Sequence, residues 1–292
     1  MMLLIEKIIR AQVPDRTGRA PLSFIKYSTP ASGKNLNDKV IFFVFNAGEH
    51  EPFLCIKTVR SYGAKERIVR NFNNLKRLNA LTTGSPHTRL FAEALYLYDD
   101  GEHIFSIETA CLGRRVRLDT RKLESVLEAY TAFQTHILMG SDGVIEDMQA
   151  YAADLIGRSG LPERDQKELV QFVRTLPLPE RLPRLVQHGD VTEDNLLWSE
   201  KGISIIDYDF VGIPDMPGFD IFGLLYRRDP LRARALCEEH LPNYFKSIGG
   251  EATSPYEGLL FLYLFIERVL RKEDASVSAE RIISDFKNTF AQ

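Results

Sequence analysis

The sequence predicts an α+β protein in two parts, an antiparallel sheet with one helix followed by a mostly helical region. Three observations predict it. Runs rich in β-branched and aromatic residues cluster before residue 107, apolar residues recur at helical spacing from residue 121 onward, and one short hairpin interrupts the helical part. The chain of 292 residues is longer than one typical domain, and 44% hydrophobic against 26% charged residues describes a globular protein with a substantial core. Two lobes sharing a cleft suit that length, divided as residues 1–107 and 108–292.

Taken in order, MMLLIEKIIR reads as a short amphipathic segment, because Glu6 and Lys7 break its apolar stretch and no small-residue cleavage site follows. Residues 40–45 (VIFFVF) and 53–59 (FLCIKTV), joined by NAGEHEP, form a hairpin. Between Gly63 and Leu81 the spacing of Ile68, Phe72, Leu75 and Leu78 predicts a helix, which the breaker run Thr82 to Pro86 ends. Phe91 to Tyr98 and His103 to Thr109 flank Asp99-Asp100-Gly101-Glu102, whose Asp-Gly step signals a second hairpin. Arg121 to Met139, residues 146–157 and 163–175, and a series from Pro230 onward follow a helical period. Leu176 to Pro183 reads as a connector.

Composition excludes several classes of function. The net charge is −3, with 37 basic and 40 acidic residues intermixed, so no basic stripe awaits a nucleic acid. Cys55, Cys111 and Cys237 are far apart and odd in number, which predicts a reducing, cytoplasmic setting. The apolar run Leu259 to Ile266 is a buried helix, too short for the roughly 20 residues that a bilayer requires. The histidines show no metal-ligand spacing, so zinc has no support.

The chemistry concentrates in Gln187-His188-Gly189-Asp190-Val191-Thr192-Glu193-Asp194-Asn195 and, beyond the third hairpin, Ile205-Ile206-Asp207-Tyr208-Asp209. In the protein-kinase catalytic loop an Asp accepts the hydroxyl proton and an Asn five positions later binds metal, the spacing of Asp190 and Asn195. With the turn centred between Glu200 and Lys201, Trp198 pairs with Ile203 and Asn195 with Ile206, so Asn195 and Asp207 leave the hairpin at the same end. Taken singly, these residues describe only a turn, a cap and a strand end. Their joint spacing points to phosphoryl transfer, with two oxygen ligands for magnesium and Asp190 left for the acceptor.

HGDxxxxN followed by an Ile-Asp strand end resembles the aminoglycoside phosphotransferase and choline kinase-like family of small-molecule kinases. That resemblance implies a two-lobed protein-kinase-like fold, ATP and Mg2+ as cofactors, and a small-molecule hydroxyl acceptor, with no nucleic-acid or membrane partner. It implies that Lys57 contacts the α- and β-phosphates, although a lysine in a strand otherwise snorkels to water. Glu108 lies in a run, Ile107 to Gly113, similar to the interlobe hinge, whose backbone would hold adenine; an ordinary strand exit reads the same way. Ser32, in Thr29 to Asn35, is placed in the phosphate-covering loop, although the run holds one glycine and no GxGxxG and suits a surface loop equally. His188 reads as structural, Asp209 as either a supplementary metal ligand or an exposed strand end, and Asp220 as a brace for the catalytic loop.

The sequence departs from the family pattern on the helix after Lys57. The family's glutamate there is replaced by Asn71 in RNFNNLKRL, so either Asn71 itself bonds Lys57 or another carboxylate moves in. Gly189 stands where protein kinases carry Arg, and no APE-like run follows Asp207, which argues against switching by activation-loop phosphorylation. For the acceptor, Glu238, Glu239, Glu257 and Glu267 could serve a cation and Arg227 and Arg228 an anion, and the run from Asp207 to Asp220 is a weak lead towards a sugar. The competing function is that of a non-catalytic, nucleotide-binding regulatory protein.

Overall fold

A computed structural model describes residues 2–17, 20–27, 39–115, 117–138, 143–229, 232–250, 256–270 and 278–290. Two compact units result, one of Met1–Leu118 with Glu193–Val211 and the other of Asp119–Thr192 with Gly212–Gln292.

The first unit is built on a five-stranded antiparallel sheet. Its strands are β1 (Ser23–Tyr27), β2 (Lys39–Phe45), β3 (Leu54–Val59), β4 (Ala94–Asp99) and β5 (Ile104–Thr109), in the order β1-β2-β3-β5-β4. β1 is a strand that the sequence did not announce, because its residues are almost all exposed and carry no alternating apolar signal. Alternation sorts the side chains onto two faces. Val40, Phe42, Val44, Leu54, Ile56, Phe105 and Ile107 form one core with Ile5 and Ile9 of helix α1 (Met2–Gln12), the amphipathic segment expected at the start. The register Ile41↔Lys57 and Lys57↔Ser106 puts Lys57 on the opposite face, with Cys55 and Glu108.

Helix α2 (Lys65–Thr82) covers that second face, where its Ile68 packs with Val59 and Ile104. Its buried stripe is Ile68, Asn71, Phe72, Leu75, Leu78 and Thr82, so Asn71 occupies a position that helical period reserves for an apolar residue. The same unit holds the hairpin of β8 (Leu196–Ser199) and β9 (Gly202–Ile205), in the register that its turn spacing predicts, with Trp198 opposite Ile203. Gly113 lets the chain run beside it: at φ 135° a Cβ there would lie 2.7 Å from the Trp198 carbonyl oxygen.

The second unit is mostly helical, with α3 (Thr120–Leu138), α4 (Met148–Gly157), α5 (Glu163–Val173), α6 (Phe219–Arg228), α7 (Ala233–Ser247), α8 (Glu257–Phe265) and α9 (Ala279–Phe290). β7 (Leu182–Pro183), within the expected connector, is a two-residue strand paired with β6 (Val144–Ile145). Every residue of α8 from Gly258 to Phe265 is buried, which explains a run that is apolar all round. α8 continues as a π-helical turn, Ile266–Leu270. Among the described residues no helix is long and apolar enough to cross a membrane.

Candidate active site

In the first unit a chain of polar contacts runs through the covered face of the sheet. Lys57 is 6% exposed, and a buried ammonium requires a partner. It has two: Glu108 Oε1 at 2.8 Å from the neighbouring strand, and Asn71 Oδ1, which accepts from Lys57 Nζ at 3.1 Å. The ring of Tyr208 lies 4.9 Å from the same ammonium. Burial, the largest single influence, lowers the Lys57 pKa, but Glu108 together with Cys55 and Asp207 outweighs it and the net shift is upward.

Both possibilities left open by Asn71 are therefore realised. Its carbonyl oxygen faces Lys57, while its Nδ2 donates to Asp209 Oδ1 at 2.8 Å. An amide accepts from a cation and donates to a carboxylate at once, whereas an ionised glutamate at residue 71 would meet Asp209 with like charge. The counter-ion of Lys57 sits instead on β5. Glu108 is an internal strand residue whose backbone pairs across to Cys55 and Ala94, and its side chain holds Lys57. Its role as Lys57 partner was not legible in a sequence that placed residue 108 at the strand exit.

Hairpin geometry delivers the next pair. Ile206 N donates to the Asn195 carbonyl at 2.9 Å, so Asn195 and Asp207 stand at the same end of β8 and β9. Asp207 has φ 67°, the one left-handed backbone among the described non-glycine residues. Its carboxylate Oδ1 accepts from Lys39 Nζ at 2.9 Å, and the same ammonium bonds Asp209 Oδ2. Arg67 lies 3.6 Å from that second oxygen, and Asp209 is only 9% exposed against 46% for Asp207. Asp209 is thus enclosed by Asn71, Lys39 and Arg67, which favours bracing over service as a metal ligand.

Among the described residues no group of three or more His, Cys, Asp or Glu is arranged to hold a metal. Magnesium does not need one beside a nucleotide, since phosphates and water complete its octahedron. An exposed Asp207 carboxylate that already holds an ammonium, with the Asn195 amide at the same hairpin end, supplies hard oxygens that fit it. Ser32 lies outside the described residues.

In the second unit a buried carboxylate shapes the loop that carries Asp190. Asp220, in the first turn of α6, accepts from His188 N at 2.8 Å, Gly189 N at 3.1 Å and Val191 N at 3.2 Å, and from the Tyr130 hydroxyl of α3. These bonds bend the backbone around Asp190, and Gly189 takes φ 84°, which favours glycine. Burial, then the adjacent Asp220 carboxylate, raise the Tyr130 pKa, so its hydroxyl keeps the proton it donates. Asp190 Oδ1 itself is 3.4 Å from Arg227 Nη1, and Arg227 also binds Glu267 of the π-helical turn. Two residues set aside for opposite kinds of acceptor thus compensate each other.

The comparisons with known proteins bear on family and fold. A sequence model of the "Phosphotransferase enzyme family" matches residues 134–248, the span that includes Asp190, Asn195, Asp207 and Asp220. The fold is similar to that of a thermostable aminoglycoside phosphotransferase APH(4)-Ia mutant solved with ADP and hygromycin B, at a TM-score of 0.55 and 13% identity over 97% of each chain. It is likewise similar to a mutant aminoglycoside 2′-phosphotransferase-IIIa solved with GDP, at a TM-score of 0.52 and 13% identity, covering 99% of this chain and 97% of that one. No match is found among curated protein sequences. Residues 134–248 thus match the phosphotransferase enzyme family model, and over nearly its whole length the fold is similar to that of aminoglycoside phosphotransferases.

Proposed function

We propose that this protein is a small-molecule kinase that moves the γ-phosphate of ATP to an acceptor hydroxyl. The observation that carries the reading is the hairpin end where Asn195 and Asp207 stand together and Asp207 already holds a cation. Asp190 receives the acceptor proton as the new O–P bond forms, and the bond to the leaving ADP oxygen breaks with its electron pair. Lys57, kept charged by Glu108, steadies the α- and β-phosphates, and Asn195 and Asp207 hold magnesium, which neutralises phosphate charge when bound. Relatives of the same fold were solved with ADP and hygromycin B and with GDP, which supports nucleotide use. The acceptor is an aminoglycoside, an aminoalcohol or a sugar-like molecule, in a cytoplasmic setting.

The regulatory alternative rested on Asn71 and on the glycine-poor run Thr29 to Asn35, and Glu108 weakens the first ground by supplying the missing counter-ion from β5. The deciding experiment incubates protein, Mg2+ and ATP with pooled aminoglycosides, aminoalcohols and sugars and reads products by mass spectrometry. One compound should gain the mass of one phosphate with wild type and none with Asp190→Ala. Tight Mg-ATP binding with no phosphorylated product from either protein would favour the regulatory role.

A further inference from the structure

Lys39, which nothing in the sequence singled out, is the first residue of β2, and its register opposite Val59 puts it on the face that carries Lys57. Its ammonium is 2.9 Å from Asp207 Oδ1, bonds Asp209 Oδ2 as well, and is only 11% exposed. Lysine is seldom so enclosed without a partner that holds it. Asp209 does not depend on it, since Asn71 and Arg67 also face that carboxylate. The ammonium therefore lies where the proposed site would receive a metal.

We propose that Lys39 is the resident cation of Asp207 in the nucleotide-free protein, and that metal enters by exchanging with it. This rests on the reading of Asp207 as a magnesium ligand. An ammonium and a divalent ion on one carboxylate oxygen repel each other, so Lys39 leaves when the metal arrives. Its four-carbon stem lets it swing, and a polyphosphate gives it an anionic destination. Metal alone offers no such destination, so it binds poorly, while metal and nucleotide bind well together. Lys39 thus becomes a phosphate-positioning residue that also keeps the carboxylates from repelling each other in the empty site.

The test titrates Mn2+ into the whole protein without nucleotide and follows the free-ion signal by electron paramagnetic resonance. Lys39→Met should bind Mn2+ roughly tenfold more tightly than wild type, Lys39→Arg should stay weak, and Asp207→Asn should lose the site. If Lys39→Met melts well below wild type, Lys39→Gln takes its place. Mn2+ binding that Asp207→Asn abolishes but loss of the lysine leaves unchanged would overturn the exchange and leave the metal reading standing. Binding indifferent to Asp207→Asn in every background would overturn both.

Discussion

Glu108 holds Lys57 from the adjacent strand at 2.8 Å, and the helix above them contributes only an amide. A strand is fixed by its ladder on both sides, so this ion pair does not depend on where the helix lies. Glu108→Gln removes the carboxylate that offsets burial. The sign is then set by the Lys57 shift, which is upward in the folded protein. The stability contributed by the pair is complete below the unfolded lysine value of about 10.4 and is lost only as pH rises through the higher folded value. Wild-type nucleotide affinity should therefore show no loss from lysine deprotonation between about pH 7 and 10. In Glu108→Gln burial acts with far less opposition, and affinity measured by calorimetry should fall across that window. Identical pH profiles for the two proteins would count against the pairing.

Restoring the family's residue at position 71 should do harm. Asn71→Glu puts a carboxylate where an amide now donates to Asp209 at 2.8 Å, and the protein should lose about 2–4 kcal/mol in denaturant unfolding. Adding Asp209→Asn should recover part of that loss. The double-mutant cycle measures the coupling, and additive losses would mean that residues 71 and 209 do not interact.

Asp220 is 2% exposed and gathers three backbone N–H groups with the Tyr130 hydroxyl. Asp220→Ala leaves those donors buried without an acceptor, at about 3–5 kcal/mol, or on the order of a 10 °C fall in melting temperature. Tyr130→Phe deletes one donor to Asp220 and one long acceptor contact from His188 N, which keeps its bond to Asp220, and should cost about 1–2 kcal/mol. Equal losses would show that the hydroxyl, not the carboxylate, holds the loop.

How far the sequence reached depended on the kind of signal. The hairpin register and the convergence of Asn195 with Asp207 were readable because strand pairing from a two-residue turn is arithmetic. Asp220 was readable from the family pattern, and its bonds to the loop are those of a brace. β1 was silent because an exposed edge strand need not alternate. Glu108 as a counter-ion and Lys39 as a cation on Asp207 were hidden for another reason. Both are contacts between side chains far apart in the chain, and no periodicity records which side chain a strand neighbour will meet. Asn71 alone carried a usable hint, since a polar residue in an apolar helical stripe requires a partner.

The left-handed backbone at Asp207 separates what the residue does from what it costs. Any side chain with a Cβ is strained at φ 67°, aspartate less than most, and glycine escapes the strain. Asp207→Gly should therefore melt at or above Asp207→Ala, by about 1 kcal/mol in stability, while both lose metal-dependent nucleotide binding. A single step to glycine would erase the chemistry and leave the fold intact. Folding alone therefore gives no reason for an aspartate here in place of a glycine, and the strain is offset only by what its carboxylate binds.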